Sequence, residues 1–169
     1  MSHVLLLDTN VWSHLILSDE PKRAKVQAGL DALLLKYPGA ARATSHVCIA
    51  ECLVAARRLL DPVERAAAET AFQAEFASPN LMVVEIGETV WDKAASLRAE
   101  ALRRAAAAGG PQAGVDGGKL KLPDAVVAAS CLDFDPPAIL VTENDSDFRF
   151  VDQTGQNQTV AGLKVERVG

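Results

Sequence analysis

Val4-Leu5-Leu6-Leu7-Asp8-Thr9-Asn10 is a short apolar run that stops at an acid, a hydroxyl and an amide. Four apolar residues in succession predict a strand buried on both faces, as strands of a parallel sheet are. In open α/β sheets, ligands sit beyond the carboxyl ends of the strands. Asp8 therefore occupies the place where such a fold puts a catalytic carboxylate. The same position suits a helix cap, because Asp and Thr side chains accept hydrogen bonds from free N–H groups at a helix start.

Outward from this stretch, helical and strand patterns alternate. Val11 to Leu17 reads as a short helix. Ser18-Asp19-Glu20-Pro21 is a cap followed by proline, and predicts a helix to Leu35 with Val26, Leu30, Leu33 and Leu34 on one face. Ala43 to Val47 reads as a strand and Ile49 to Leu60 as a helix. Val63 to Phe76 is an Ala-rich helix with Phe72 and Phe76 four apart. Leu81 to Ile86 is a third strand. Glu88 opens a helix to Ala108, with Val90, Ala94, Leu97, Ala101 and Ala105 at helical spacing. Gly109 to Gly118 holds five glycines but neither GxGxxG nor GxxxxGK[ST], so it reads as a loop and not a phosphate cradle. Pro123 starts the helix Asp124 to Leu132. Ala138 to Thr142 and Leu163 to Val168 read as strands. The alternation predicts an α/β fold in one domain over residues 1–169, a central, mostly parallel β-sheet flanked by α-helices.

The composition fits that domain. Of 169 residues, 49% are hydrophobic, enough to fill a core. No apolar run approaches the roughly 18 residues that span a bilayer. No basic segment with a signal-peptide core opens the sequence. A cytoplasmic protein with no membrane partner is the expectation. Cys48, Cys52 and Cys131 lie among small apolar residues and read as reduced core thiols; with only His46 near them, the ligand set for zinc is incomplete. The net charge of −5 argues against gripping nucleic acid by general electrostatics. It does not exclude a nuclease whose acids make the site negative until a metal binds.

The acids stand in unusual settings. Asp8 follows four apolar residues and has no basic residue within four positions. Glu51 is the only charged residue from Val47 to Ala56, and Asp124 the only one from Leu122 to Leu132. Carboxylates are rarely buried unless paired or coordinating a metal. Each also has a plain explanation: Asp8 as a cap, Asp124 at a helix N-terminus, Glu51 on a narrow solvated stripe. A fourth cluster, Glu143-Asn144-Asp145-Ser146-Asp147, follows the strand ending at Thr142 and could be a turn. Two strands ending in polar groups and two apolar helices with one acid each could meet in a pocket. Oxygen ligands there select hard cations, Mg²⁺ or Mn²⁺.

These segments resemble, in order, the motifs of PIN-domain ribonucleases, in particular VapC-like toxins of toxin–antitoxin modules. "LLLDTNVW" is similar to the family's opening strand and first acid, Asp8. "SHVCIAECLVAARR" resembles the segment of its helical glutamate, Glu51. "KLKLPDAVVAAS" resembles the stretch of its third acid, Asp124. "AILVTENDSDF" resembles its closing strand and last motif, where Asn144 holds the fourth site position, Asp147 matches a recurrent acid and Asp145 is a third possibility. The resemblance implies Mg²⁺-dependent hydrolysis of RNA, with Asp8 and Asp124 as direct metal ligands. Glu51 is implied as a further ligand or the group that positions water, with Asn144 and Asp147 in support and Thr9 bonded to a ligand or bound water. Arg98 resembles the family's inward-reaching arginine. Arg57, Arg58, Arg98, Arg103, Arg104, Lys119 and Lys121 are candidates for holding RNA, although a solvated face explains most of them. Trp12 and Trp91 suit either core or base stacking. The resemblance also implies an antitoxin that covers the acids, and a homodimer.

Three other readings compete. An aspartyl-phosphate phosphatase needs a second acid two residues after the first, where this chain has Asn10. A PIN-like binding module would hold a partner without cleaving. A related metal-dependent DNase would act on a different substrate.

Overall fold

The computed structural model describes residues 3–107, 120–151 and 156–169. In chain order, β1 (Val4–Leu7) leads into α1 (Thr9–Leu17) and α2 (Glu20–Lys36). Next, β2 (Ala41–Ser45) leads into α3 (His46–Arg57) and α4 (Pro62–Phe76), and β3 (Leu81–Val84) into α5 (Glu88–Ala107). Then α6 (Leu122–Leu132) precedes β4 (Ile139–Thr142) and a 3-10 turn over Asp145–Phe148. The strands β5 (Arg149–Val151), β6 (Asn157–Thr159) and β7 (Val165–Arg167) complete the chain.

Five parallel strands form the sheet in the order β3-β2-β1-β4-β7. The central strand explains the apolar run. Successive side chains of a strand point to opposite faces. Leu6 packs with Ala43, Val90, Ala94, Val126 and Leu140 on one face. Leu5 and Leu7 pack with Val11, Trp12, Leu30, Phe72 and Val141 on the other. All three leucines are fully buried. From β1 the chain continues to β2 on one side, while β4 lies on the other. Such a reversal of strand order opens a crevice beyond the strand ends, the usual ligand position of an open α/β sheet.

The element boundaries shift for local reasons. The first helix begins at Thr9, not Val11, because Asp8 caps it. The second strand ends at Ser45, whose hydroxyl accepts from the Cys48 N–H and starts α3 three residues earlier than the apolar pattern suggested. That helix stops at Arg57, short of Leu60. The expected buried faces of α2 and α5 form, with Val26, Leu30 and Leu33 in one and Val90, Ala94, Leu97 and Ala101 in the other. The β5–β6 antiparallel hairpin was not anticipated. The Gly-rich loop, Lys119 and the side chain of Ala105 lie outside the described residues.

The C-terminal strand is fastened to α2. The Tyr37 hydroxyl and Lys36 Nζ both donate to the Glu166 carboxylate, the latter at 2.8 Å. A Cβ on Gly29 would lie 3.0 Å from the Val168 Cβ and 3.2 Å from its Cα. Gly29→Ala is therefore expected to lower stability by about 1 kcal/mol net in urea unfolding. Overpacking costs about 1–3 kcal/mol and outweighs about 1 kcal/mol of helix propensity gained.

Candidate active site

Asp8 caps α1, and the same carboxylate lies within electrostatic reach of Glu51 and Asp147. Its backbone is extended, and its Oδ1 accepts from the Thr9 N–H at 2.7 Å. Its Oδ2 accepts from Asn10 Nδ2 and from the Thr142 hydroxyl, each at 3.0 Å. The residue is 6% exposed. Burial pushes its carboxyl up from the usual 3.8 to about 6, and the charges of Glu51 and Asp147 push the same way. The Thr9 and Thr142 hydrogen bonds oppose this rise without cancelling it.

Three further acids reach the same crevice from other elements. Glu51, half-buried on α3, accepts the Thr9 hydroxyl on Oε2 at 2.5 Å. Thr9 thus bonds Glu51 directly. Asp124 sits in the first turn of α6, after Pro123, and accepts from the Lys121 backbone N–H at 3.2 Å. Burial pushes its carboxyl to about 6, with Asp8, Asp147 and Glu51 adding to the rise. Asp147, in the 3-10 turn after β4, accepts from Asn144 Nδ2 at 2.9 Å. Asp145 is paired elsewhere, with Arg149 at 2.7 Å. Four carboxylates from four elements therefore share one electrostatic field, and Asn144 borders it through Asp147. Among the described residues, no three acids, histidines or cysteines stand close enough to form a ready coordination shell.

The family model of the PIN domain matches residues 5–153, which include all five of these site positions. The chain belongs to the PIN-domain family. Solved structures of the same fold include VapBC2 from Rickettsia felis bound to a promoter DNA fragment. That chain is 17% identical, with 98% of this chain and 99% of that one covered at a TM-score of 0.63. FitAcB from Neisseria gonorrhoeae is 21% identical, with 95% of each chain covered and a TM-score of 0.62. VapC20 from Mycobacterium tuberculosis, described as a sarcin-ricin loop cleaving toxin, is 14% identical, with 80% and 86% covered and a TM-score of 0.51. No curated protein matches the chain.

PIN-domain nucleases use divalent metal ions, and the donor chemistry of this PIN domain fits one. Every group in the crevice offers oxygen, which suits a hard cation. Among the described residues, burial and neighbouring acids, not a basic partner, dominate the setting of both Asp8 and Asp124.

Sequence reasoning gave no role to Asn10, whose amide joins the ends of β1 and β4. Its only sequence signal was its place directly after Asp8-Thr9, which also suits a helix start. Arg98 donates to the Leu120 carbonyl and ties α5 to the start of α6. Arg57 pairs with Glu69 at 3.5 Å, and Arg104 with Glu100. Arg58, Arg103 and Lys121 are exposed. Trp12 belongs to the core and donates to the Thr44 hydroxyl at 3.1 Å, whereas Trp91 is 47% exposed. The three cysteines are free and buried, and burial pushes the Cys48 thiol up to about 11. A separate groove of about 470 Å³ runs between α1, α2 and α4, lined in part by Trp12, Ile16, Arg23 and Arg42. No helix among the described residues is long and apolar enough to cross a membrane.

Proposed function

We propose that this PIN domain, over residues 1–169, is an Mg²⁺-dependent endoribonuclease, with Mn²⁺ able to replace Mg²⁺, and the toxin of a toxin–antitoxin pair. The observation that carries this reading is the pair Asp8 and Asp124. Both are raised to about 6 by burial and by neighbouring acids. A carboxylate in such a setting opposes folding at neutral pH until a proton or cation joins it.

Asp8 and Asp124 bind the ion directly. Glu51, with Oε2 held by Thr9, uses Oε1 to bind the ion or to orient the attacking water. Asn144 and Asp147 support the crevice from the β4 side through their mutual hydrogen bond. When bound, the cation polarises the scissile phosphate, lowers the pKa of the attacking water and neutralises the leaving oxygen.

RNA as substrate is supported by the family motifs and by VapC20, described as cleaving the sarcin-ricin loop. The toxin role is supported by structural neighbours described as a toxin–antitoxin complex from Klebsiella pneumoniae and as a member of the VapBC family of toxin–antitoxin systems from Mycobacterium tuberculosis. An antitoxin that covers the acids, a homodimer and a cytoplasmic location belong to the same reading. Purified protein is expected to cut members of a panel of structured RNAs with Mg²⁺ or Mn²⁺, but not with EDTA, and to spare single-stranded DNA. Cleavage of DNA alone would make it a DNase. Metal binding without cleavage of either would make it a silent binding module.

A further inference from the structure

Among the described residues, the hydrogen bonds to Asp8 leave one acceptor position open. A carboxylate has about four lone-pair positions. The Thr9 N–H takes one on Oδ1. Asn10 Nδ2 and the Thr142 hydroxyl take both on Oδ2.

The Thr142 proton can be placed by the same accounting. Its oxygen accepts from Asn10 Nδ2 at 2.9 Å and from the Asn144 N–H at 3.2 Å. With both lone pairs engaged, its single proton goes to the nearest acceptor. That acceptor is Asp8 Oδ2 at 3.0 Å, ahead of the Asn144 carbonyl at 3.3 Å and Asn10 Oδ1 at 3.4 Å.

The Asn10 amide is fixed in turn. Both Nδ2 hydrogens are used, one on Asp8 and one on Thr142, while Oδ1 accepts from the Glu143 N–H at 3.0 Å. Flipping the amide would set oxygen against carboxylate and NH₂ against N–H. One side chain on α1 therefore binds the acid after β1, the hydroxyl ending β4 and the backbone beyond it.

We infer that Asn10 is a positioning residue that locks Oδ2 of Asp8 into the protein and leaves Oδ1 as the one ligand atom Asp8 offers a divalent cation. This inference rests on the metal-dependent reading and adds a residue and a binding mode to it. Without Asn10, Oδ2 loses a donor, Thr142 loses its nearest one, and the carboxylate can turn. Binding then requires the carboxylate to be ordered first. Residues that orient metal ligands in this way are worth about 10–100-fold in affinity.

The test is Mn²⁺ binding by the full chain, with free Mn²⁺ measured by electron paramagnetic resonance and no substrate present. Asn10→Ala is expected to weaken binding about 10–100-fold. Thr142→Val, close in shape, is expected to weaken it in the same direction, and decides the matter if Asn10→Ala does not fold. Leu33→Ala loosens the packing on one face of the sheet away from the acids, and is expected to leave Mn²⁺ affinity unchanged despite a lower melting temperature. Wild-type affinity in a folded Asn10→Ala, or in Thr142→Val where Asn10→Ala does not fold, overturns the inference while the metal site stands. Equal weakening in Leu33→Ala also overturns it, because general loosening would then account for the loss. If wild type itself binds no Mn²⁺, the metal-dependent reading fails and the inference falls with it.

Discussion

Asp124→Asn is expected to reduce cleavage by about 10²–10³-fold while raising the melting temperature at pH 7.5. The loss is on the scale of removing one preorganised electrostatic group from a reaction centre. The gain follows from the carboxyl's raised pKa. The folded chain binds this proton more tightly than the unfolded chain, since the carboxyl moves from 3.8 to about 6. Stability therefore falls as pH rises from about 4 through about 6, and levels off above that. The amide keeps an oxygen for the Lys121 N–H but carries no charge. Its advantage should be largest above pH 6 and vanish near pH 4. Thermal denaturation in EDTA at both pH values checks the sign. A lower melting temperature at pH 7.5, or retained cleavage, would contradict this account of Asp124. On the proposed reading activity and stability oppose each other here, because acids brought together for a cation repel one another without it.

The second large effect comes from the cation. Mn²⁺ at about 100 times its dissociation constant stabilises by about 2.7 kcal/mol. For a domain of this size, each kcal/mol moves the melting temperature by about 2–4 °C. Wild type at pH 7.5 should therefore gain about 5–10 °C with saturating Mn²⁺. At pH 5 the gain should shrink, because Asp8 and Asp124 hold protons there that the cation must displace. Asp8→Asn and Asp124→Asn should respond much less at either pH. A gain that is equal in all three proteins would place the binding elsewhere.

Much of the fold was legible because its strongest signals are local. Four apolar residues before Asp8 could only be satisfied by cover on both faces of β1, and two cores provide it. Proline marked the starts of α2, α4 and α6 to within a residue or two. The β5–β6 hairpin escaped because its strands have three residues each, and Asn157-Gln158-Thr159 has no apolar alternation to read. Ser45 was read as strand, although its hydroxyl ends the strand and caps α3.

Asp8, Glu51 and Asp124 were legible for a different reason: each is a lone charge in or at the end of an apolar segment. What a sequence does not contain is how their neighbours are bonded. The Thr9 hydroxyl reaches Glu51 across 42 positions, and the Asn10 amide reaches Thr142 across 132. Asn144, Asp145 and Asp147 were alternatives in one short run. Their partners separate them: Asp145 turns to Arg149, while Asp147 faces the other acids and takes the Asn144 amide.

Asp8 and Asp124 are proposed to hold a divalent cation in the crevice beyond β1 and β4. Anomalous diffraction from crystals soaked in Mn²⁺ tests it most directly. An anomalous peak is expected within bonding distance of Asp8 Oδ1 and an Asp124 carboxylate oxygen, absent in Asp8→Ala. No peak at saturating Mn²⁺, or a peak elsewhere that Asp8→Ala leaves in place, would contradict it.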